Sequence, residues 1–267
     1  MKVYLNGKFL EKESEKISPF NSAFLYGEGI FETLRSYNGV PFRLSDHLQR
    51  MNNSLPLFGF KIINDNQITD AISELLKINK LSSARLRITV SKHINTDEQI
   101  VLIEATEYQP TFPEYASVMI SGEKLPHGVQ LLMHKTTNYF YNNQVYREAK
   151  SRGYDEAIFI DNENHILEGT RTNVFFVRDG VVFTPSLHCG VLPGITRKII
   201  FEICKELNIS IEEKTLDVSE FDRCDEVFLT NSLAEVIMVK RVNEIIYKYF
   251  SITETILNEY RTRIHTD

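Results

Sequence analysis

Apolar and polar positions recur along this chain with two periods, and the places where the period changes mark its elements. Val3-Tyr4-Leu5, Asn6-Gly7 and Phe9-Leu10 predict a hairpin, since Asn-Gly suits the twist of two paired strands. Glu11 to Lys16 is a charge run that reads as a solvated turn. Ala23 to Arg35 reads as a loop around Tyr26-Gly27-Glu28-Gly29 that opens into a strand, and Asn38-Gly39 turns it back through Val40 to Arg43. Ser45 or Asp46 is the expected cap of a helix through His47, Arg50 and Met51. A second helix, capped by Asn66, places Ile68, Ala71, Ile72, Leu75 and Leu76 on one face. Strands follow at 84–91 and 100–107; alternation along the first sends Arg85 and Arg87 to the same side.

The composition shifts after that, with prolines at 110, 113 and 126 and glycines at 122 and 128. A linker over 119–127 is expected between one domain over 1–118 and another over 128–267. The second domain opens with the apolar run Val129 to Met133, which ends abruptly in His134-Lys135-Thr136-Thr137-Asn138-Tyr139. A helix-like stretch comes next, then the run Glu156 to Ile160. The turn Asp161 to Asn164 leads into His165-Ile166-Leu167-Glu168 and the strand Val174 to Val177, closed by Asp179-Gly180 and Val181 to Phe183. Gly190 to Gly194 introduces a helix from Ile195 to about Leu207. Strands are expected at 209–215, 226–229 and 236–242, with a terminal helix over 253–264. There is no internal repeat. Strands with interspersed helices in two halves predict an α/β (α+β) chain.

Charge and composition narrow the function. A net charge of −6 and a pI near 5.7 argue against a general binder of nucleic acid or membrane surfaces. No apolar run approaches the ~20 residues that span a bilayer. The N-terminus is too short and polar for a signal peptide, and three scattered cysteines suit a reducing, cytoplasmic setting. No GxxxxGK[ST], HExxH, GxSxG or CxxC motif occurs, so no metal is expected.

Lys135 and Glu168 each sit at the end of a short apolar run; such runs are candidate buried strands, and an ion at the end of one often faces a cleft. Each has a plain alternative: Lys135 as a surface lysine, Glu168 as a turn residue paired with Arg171, Arg50 as an exposed helical cation. Gly194-Ile195-Thr196 at a helix start offers backbone N–H groups and a hydroxyl, a seat for phosphate. An amine for a carbonyl, a carboxylate, an arginine and a helix N-terminus together make the parts list for pyridoxal 5′-phosphate.

Six blocks, in order, resemble the class IV aminotransferases, the fold-type IV pyridoxal phosphate enzymes. They are Tyr26 to Thr33, His47 to Met51, Lys135 to Tyr139, Glu168 to Phe175, Leu192 to Arg197 and Leu229 to Val236. The family includes branched-chain and D-amino acid aminotransferases and aminodeoxychorismate lyases. The resemblance implies a two-domain fold, with a small N-terminal α/β domain and a larger C-terminal pseudo-barrel, the cofactor between them, and a homodimer. It makes Lys135 the Schiff-base lysine and proton shuttle, Glu168 the partner of the pyridine nitrogen, and Arg50 the arginine on the phosphate. Ile195, Thr196 and Ser232 resemble the remaining phosphate donors, and Tyr139 the phenol near the ring oxygen. Substrate-side candidates are Arg171, Arg85, Arg87 and Thr33, with Arg171 the boldest proposal for reading a substrate carboxylate. Arg171 also stands where the lyases carry small or acidic residues. The leading expectation is amino transfer between an amino acid and a 2-oxo acid. The alternatives are aminodeoxychorismate lyase, releasing pyruvate and 4-aminobenzoate, and a silent binding protein that keeps the fold.

Overall fold

The structure is a computed structural model that describes residues 1–14, 17–96, 98–110 and 112–264. Glu15 and Lys16, expected in the first solvated turn, lie outside the described residues. The chain forms two compact units, one of Met1–Gln109 with His134–Tyr139, the other of Pro110–Met133 with the described chain from Phe140 onward.

The first unit is an antiparallel sheet backed by helices. Strands β1 (Lys2–Leu5) and β2 (Lys8–Glu11) form the expected hairpin, with Asn6 and Gly7 at positive φ in the turn. The others are β3 (Ile30–Tyr37), β4 (Val40–Pro41), β5 (Ala84–Lys92) and β6 (Gln99–Glu107), giving the order β2-β1-β6-β5-β3-β4. A short helix α1 (Ser22–Tyr26) precedes β3; α2 (Leu44–Ser54) and α3 (Asp65–Ile78) lie against one face of the sheet. There Leu48, Met51, Ile68, Ile72 and Leu75 pack on Leu34, Leu86, Ile88 and Ile103. Because side chains alternate along a strand, Phe31, Thr33, Arg85 and Arg87 fall on the opposite face.

Both helix starts differ from expectation. Before α2, Arg43 takes a left-handed conformation (φ 55°) and its side chain pairs with Asp46, so neither Ser45 nor Asp46 is the cap. For α3 the cap is Asn64, whose side chain accepts from the Gln67 N–H; Asn66 already lies within the helix. Two candidate caps two residues apart cannot be told apart by pattern alone.

The second unit holds a mixed sheet of nine strands. They are β7 (Tyr115–Leu125), β8 (Glu156–Asp161), β9 (Ile166–Gly169), β10 (Asn173–Arg178), β11 (Val181–Pro185), β12 (Ile211–Lys214), β13 (Glu226–Asn231), β14 (Glu235–Val242) and β15 (Ile245–Ile246). The order is β12-β11-β10-β13-β14-β7-β8-β9, with β15 on β14. The far strand β9 returns beside β10 and β11, so the sheet curls into a partly closed barrel. Helix α4 (Phe140–Ser151) buries Val145 and Ala149 against Ala157, Phe159 and Leu167. Helices α5 (Ile195–Glu206) and α7 (Ser251–Ile264) pack together over β13, and α6 (Glu220–Arg223) is a single turn. No described helix is long and apolar enough to cross a membrane.

Two expectations for the middle of the chain need correction. The stretch 119–127 is not a linker: most of it belongs to β7, paired in parallel with β14 and β8. Gly122 sits in the irregular part of that pairing, between Ile120 and Lys124, and Pro126 ends the strand. Glycine and proline there mark a bulge and a strand end. The changeover between units falls earlier, at Gln109 and Pro110. The run Val129 to Met133 is likewise no strand. Gly128 turns the chain at φ 65°, and Gln130–Met133 form a single 3₁₀ turn with local hydrogen bonds such as Leu132 N–H to Val129 O.

Candidate active site

In the first unit the segment after this turn runs beside the start of β3. Phe31 N–H donates to Lys135 O (2.8 Å) and Thr137 N–H to Gly29 O (2.8 Å). The Thr137 hydroxyl donates to Gly27 O (2.7 Å), and His134 Nδ1 meets Ser54 Oγ at 2.9 Å. This seat explains the Tyr26-Gly27-Glu28-Gly29 loop. Gly27 (φ 70°) caps α1 in the left-handed region. A Cβ on Gly29 would stand 3.0 Å from both Thr137 Oγ1 and Val90 O. The loop is a tight backbone turn, as expected, and its glycines let the Lys135 segment come close.

Lys135 is half-buried, its Nζ 4.5 Å from the centre of the Phe31 ring and 3.5 Å from Tyr139 Oη. Tyr139 packs edge-on to the same Phe31 ring, at 5.3 Å between centroids. The Arg87 guanidinium lies over that ring too, at 3.8 Å. Burial, then the neighbouring Arg85, pull the Arg87 pKa below its ordinary value, while Glu104 opposes them. Thr33 is paired with Arg87 across β3 and β5, and Arg85 lies two residues further along, opposite Arg35.

On the other face, Glu32 of β3 is buried and holds Arg50 by two bonds, from Nε (2.8 Å) and Nη2 (2.6 Å). His47, one turn before Arg50 on α2, meets the same carboxylate at 2.7 Å. Arg50 is thus no loose surface cation. Its Nε and Nη2 face Glu32. Burial would raise the Glu32 pKa, but Arg50 and then His47 outweigh it and hold the carboxyl at about 2, below its ordinary 4.5. Burial lowers His47, against the pull of Glu32. Glu32 and His47 stand inside motif blocks already quoted, yet nothing in the pattern shows that they form one buried pair.

That pair has a measurable consequence. A carboxylate with a depressed folded pKa adds stability above its unfolded pKa and loses it as pH falls toward the folded one. For Glu32 the window runs from 4.5 down to about 2. Glu32→Gln is expected to cost about 3–5 kcal/mol near pH 7, because it strands Arg50 and His47 without their carboxylate. The gap between wild type and variant should narrow as pH drops below 4.5, as denaturant titrations at several pH values will show. A gap that stays constant with pH would reject the ion-pair account.

In the second unit Glu168, on β9, is half-buried; its Oε2 accepts from Asn173 Nδ2 (3.0 Å) and Leu192 N–H (3.0 Å). Asn173 also donates to Leu192 O (3.0 Å) and so joins Glu168 to the irregular segment that leads into α5. At the start of α5, Gly194 is the N-cap and no side chain caps the helix. A Cβ there would collide with Asn173 Oδ1, hence the glycine. Ile195 and Thr196 begin the helix, both buried, and among the described residues the Thr196 hydroxyl has no hydrogen-bond partner. An unmet buried polar atom costs about 1–3 kcal/mol, so a hydroxyl left open beside free helix N–H groups fits an anion. Ser232 lies in the turn after β13, shaped by Asn231, whose Oδ1 accepts from the Leu233 and Ala234 N–H groups.

The Arg171 guanidinium stacks on Tyr146 (3.8 Å) and donates to Asn143 (3.0 Å), both on α4, so it is not the partner of Glu168 that the plain reading expects. The loop is held instead by Glu156, a buried acid on β8 that the pattern does not reveal. Glu156 accepts from the Thr170 hydroxyl (2.5 Å), the Thr172 hydroxyl (3.2 Å) and the Ala157, Thr170 and Arg171 N–H groups. Burial pushes its pKa up, and these donors oppose the rise.

A family model described as amino-transferase class IV matches residues 29–242, and the chain belongs to that family. It is 31% identical over 254 residues to a provisionally assigned branched-chain-amino-acid aminotransferase of Methanocaldococcus jannaschii, covering 91% of this chain and 88% of the relative. It is 29% identical over 259 residues to the aminodeoxychorismate lyase of Bacillus subtilis, covering 92% and 88%. Among solved structures it resembles the branched-chain amino acid aminotransferase of T.th. with pyridoxamine 5′-phosphate. The TM-score is 0.90 at 26% identity, over 98% of this chain and 93% of that one.

Proposed function

We propose that Lys135 is the amine that joins pyridoxal 5′-phosphate, and that Glu168 is the carboxylate toward its pyridine nitrogen. Arg50, Ile195, Thr196 and Ser232 are proposed to hold its phosphate, with Tyr139 near the ring oxygen. The protein is a pyridoxal phosphate-dependent aminotransferase, moving an amino group between an amino acid and a 2-oxo acid. When bound, the cofactor supplies an aldehyde for the amine and a ring that accepts the electrons released at the α-carbon.

The remaining work falls to side chains of this protein. Lys135 Nζ, steadied by Phe31 and Tyr139, takes and returns the α-proton. Glu168, fixed by Asn173 and the Leu192 N–H, keeps a negative charge toward the pyridine nitrogen. Arg87 is our choice for the substrate carboxylate, ahead of Arg85 and Arg171. It shares the Phe31 ring with Lys135, whereas Arg171 is engaged by Tyr146 and Asn143. Thr33, beside Arg87, adds a hydroxyl on the same face. That shared ring carries the functional reading, because an amine next to a fixed guanidinium suits a substrate with both a carbonyl or amine and a carboxylate.

Half-reactions with a panel of L- and D-amino acids, followed through cofactor absorbance, test this. Conversion to the amine form, reversed by 2-oxo acids, is expected. Release of 4-aminobenzoate from aminodeoxychorismate without such half-reactions would favour the lyase instead.

We further propose that the protein works as a homodimer in a reducing cytoplasm. Around α1, Phe20 (51% exposed), Phe24 (74%) and Tyr26 (64%) make an apolar surface joined by Ile94, whose N–H bonds to Phe20 O. The three cysteines are unpaired. Phe24→Asp is expected to shift a dimer toward monomer at micromolar concentration in sedimentation velocity. An unchanged dimer, or a wild type that is already monomeric, would rule out this surface.

A further inference from the structure

One cluster of metal-ligating side chains has no part in the chemistry above. His127 lies in the turn after β7, Asp161 ends β8, and His165 precedes β9. His127 Nδ1 is 2.6 Å and His165 Nδ1 3.0 Å from the same oxygen, Asp161 Oδ2. The two rings meet edge to face at 5.8 Å, and the three donor atoms lie within 4.8 Å of one another.

We propose that His127, Asp161 and His165 form a binding site for a divalent transition ion of the zinc type. Two imidazoles and a carboxylate are the ligand chemistry of such ions, which bind nitrogen and oxygen at about 2.0–2.2 Å. Ligands around a tetrahedral ion at those lengths stand about 3.3 Å apart. The two contacts to Asp161, at 2.6 and 3.0 Å, would open by roughly 0.3–0.7 Å to admit one, within a set whose donor atoms already lie within 4.8 Å of one another. The carboxylate is also aimed beforehand. Asp161 is fully buried, and its other oxygen, Oδ1, accepts from the Glu163 and His165 N–H groups at 2.8 Å each. Oδ2 is thus turned toward the histidines by the fold, the kind of outer support that metal ligands need.

The surrounding charge favours a cation. Glu163 Oε2 lies 3.7 Å from His165 Nδ1 and is three-quarters exposed, so it can swing in as a fourth ligand. Asp217 interacts electrostatically with His165. The opposing cation is Lys124, whose Nζ donates to Asn164 (2.7 Å). His127 is 44% exposed, which gives an ion a way in from solvent. To ligate through Nδ1, each neutral ring carries its single proton on Nε2 instead, so the ion takes the place of the proton at each Nδ1. The ion would pin the turn after β7 to the β8–β9 hairpin, whose far end carries Glu168.

The holoenzyme, treated with chelator and then titrated with zinc chloride in a calorimeter, tests the site. One zinc per chain is expected at this locus, with a rise in thermal midpoint and unchanged cofactor absorbance. His127→Gln and His165→Gln should each weaken that binding at least about tenfold, since even loss of an outer-shell partner costs about 10–100-fold. His127 is at the surface, so its variant should fold even where Asp161→Asn does not. Cobalt(II) in place of zinc should show a visible band that both histidine variants lose. Equal zinc affinity in wild type and the double histidine variant, or no saturable binding in wild type, would overturn the proposal.

Discussion

Lys135→Ala is expected to bind pyridoxal phosphate without a covalent link and to lose at least about 10⁴-fold in turnover, the upper range for one acid–base group before its role as nucleophile is counted. The variant should still fold. Lys135 holds its segment in place through backbone groups, with Lys135 O accepting from Phe31 N–H, and alanine keeps that carbonyl. The side chain is half-buried and makes ring contacts with Phe31 and Tyr139, so the loss in stability should be modest. Borohydride treatment followed by peptide mapping checks the assignment. Wild type should carry the reduced cofactor on the peptide with Lys135, and the variant should carry none. A reduced cofactor on another lysine would sink the assignment.

The second large effect is expected at Glu168. Glu168→Gln can keep both bonds now made by Oε2, because an amide oxygen accepts from Asn173 Nδ2 and Leu192 N–H as a carboxylate does. Cofactor affinity and thermal midpoint should therefore change little, while the negative charge proposed to face the pyridine nitrogen is gone. A fall of about 10²-fold or more in the half-reaction is the scale for removing one preorganised electrostatic partner. Stopped-flow half-reactions beside a cofactor titration separate the two effects. Near-wild-type rates would return Glu168 to a purely structural role.

The ease of reading different parts of this chain followed the range of the forces involved. Hairpins at Asn6-Gly7 and Asn38-Gly39, the β5 alternation and the α5 start were legible because turn chemistry and periodicity act over a few residues. What escaped depended on distant partners. The Val129 to Met133 run has the hydropathy of a strand, but Pro126 and Gly128 leave it a local 3₁₀ turn. Glu156 looks like an ordinary acid beginning an apolar run, and only the fold shows it tying down the loop from Thr170 to Thr172. Glu32, likewise, is one letter in a Phe-Glu-Thr block until α2 brings His47 and Arg50 to it. The residues proposed for the site are marked as a set by their ordered blocks, whereas the preference for Arg87 over Arg171 rests on side-chain positions.

The path of the chain around Lys135 bears on how such an enzyme can be inherited in pieces. Residues 134–139 belong to the first compact unit, although they are flanked on both sides by residues of the second. A single genetic crossover near Gln109 would bring in a first unit from one parent and its short strap from the other. Gly27 and Gly29 would then meet a foreign Thr137 and Asn138, where the fit is within a few tenths of an ångström. Hybrids that trade these units should survive mainly when the crossover also carries residues 134–139, so glycine loop and lysine segment are expected to travel together between lineages.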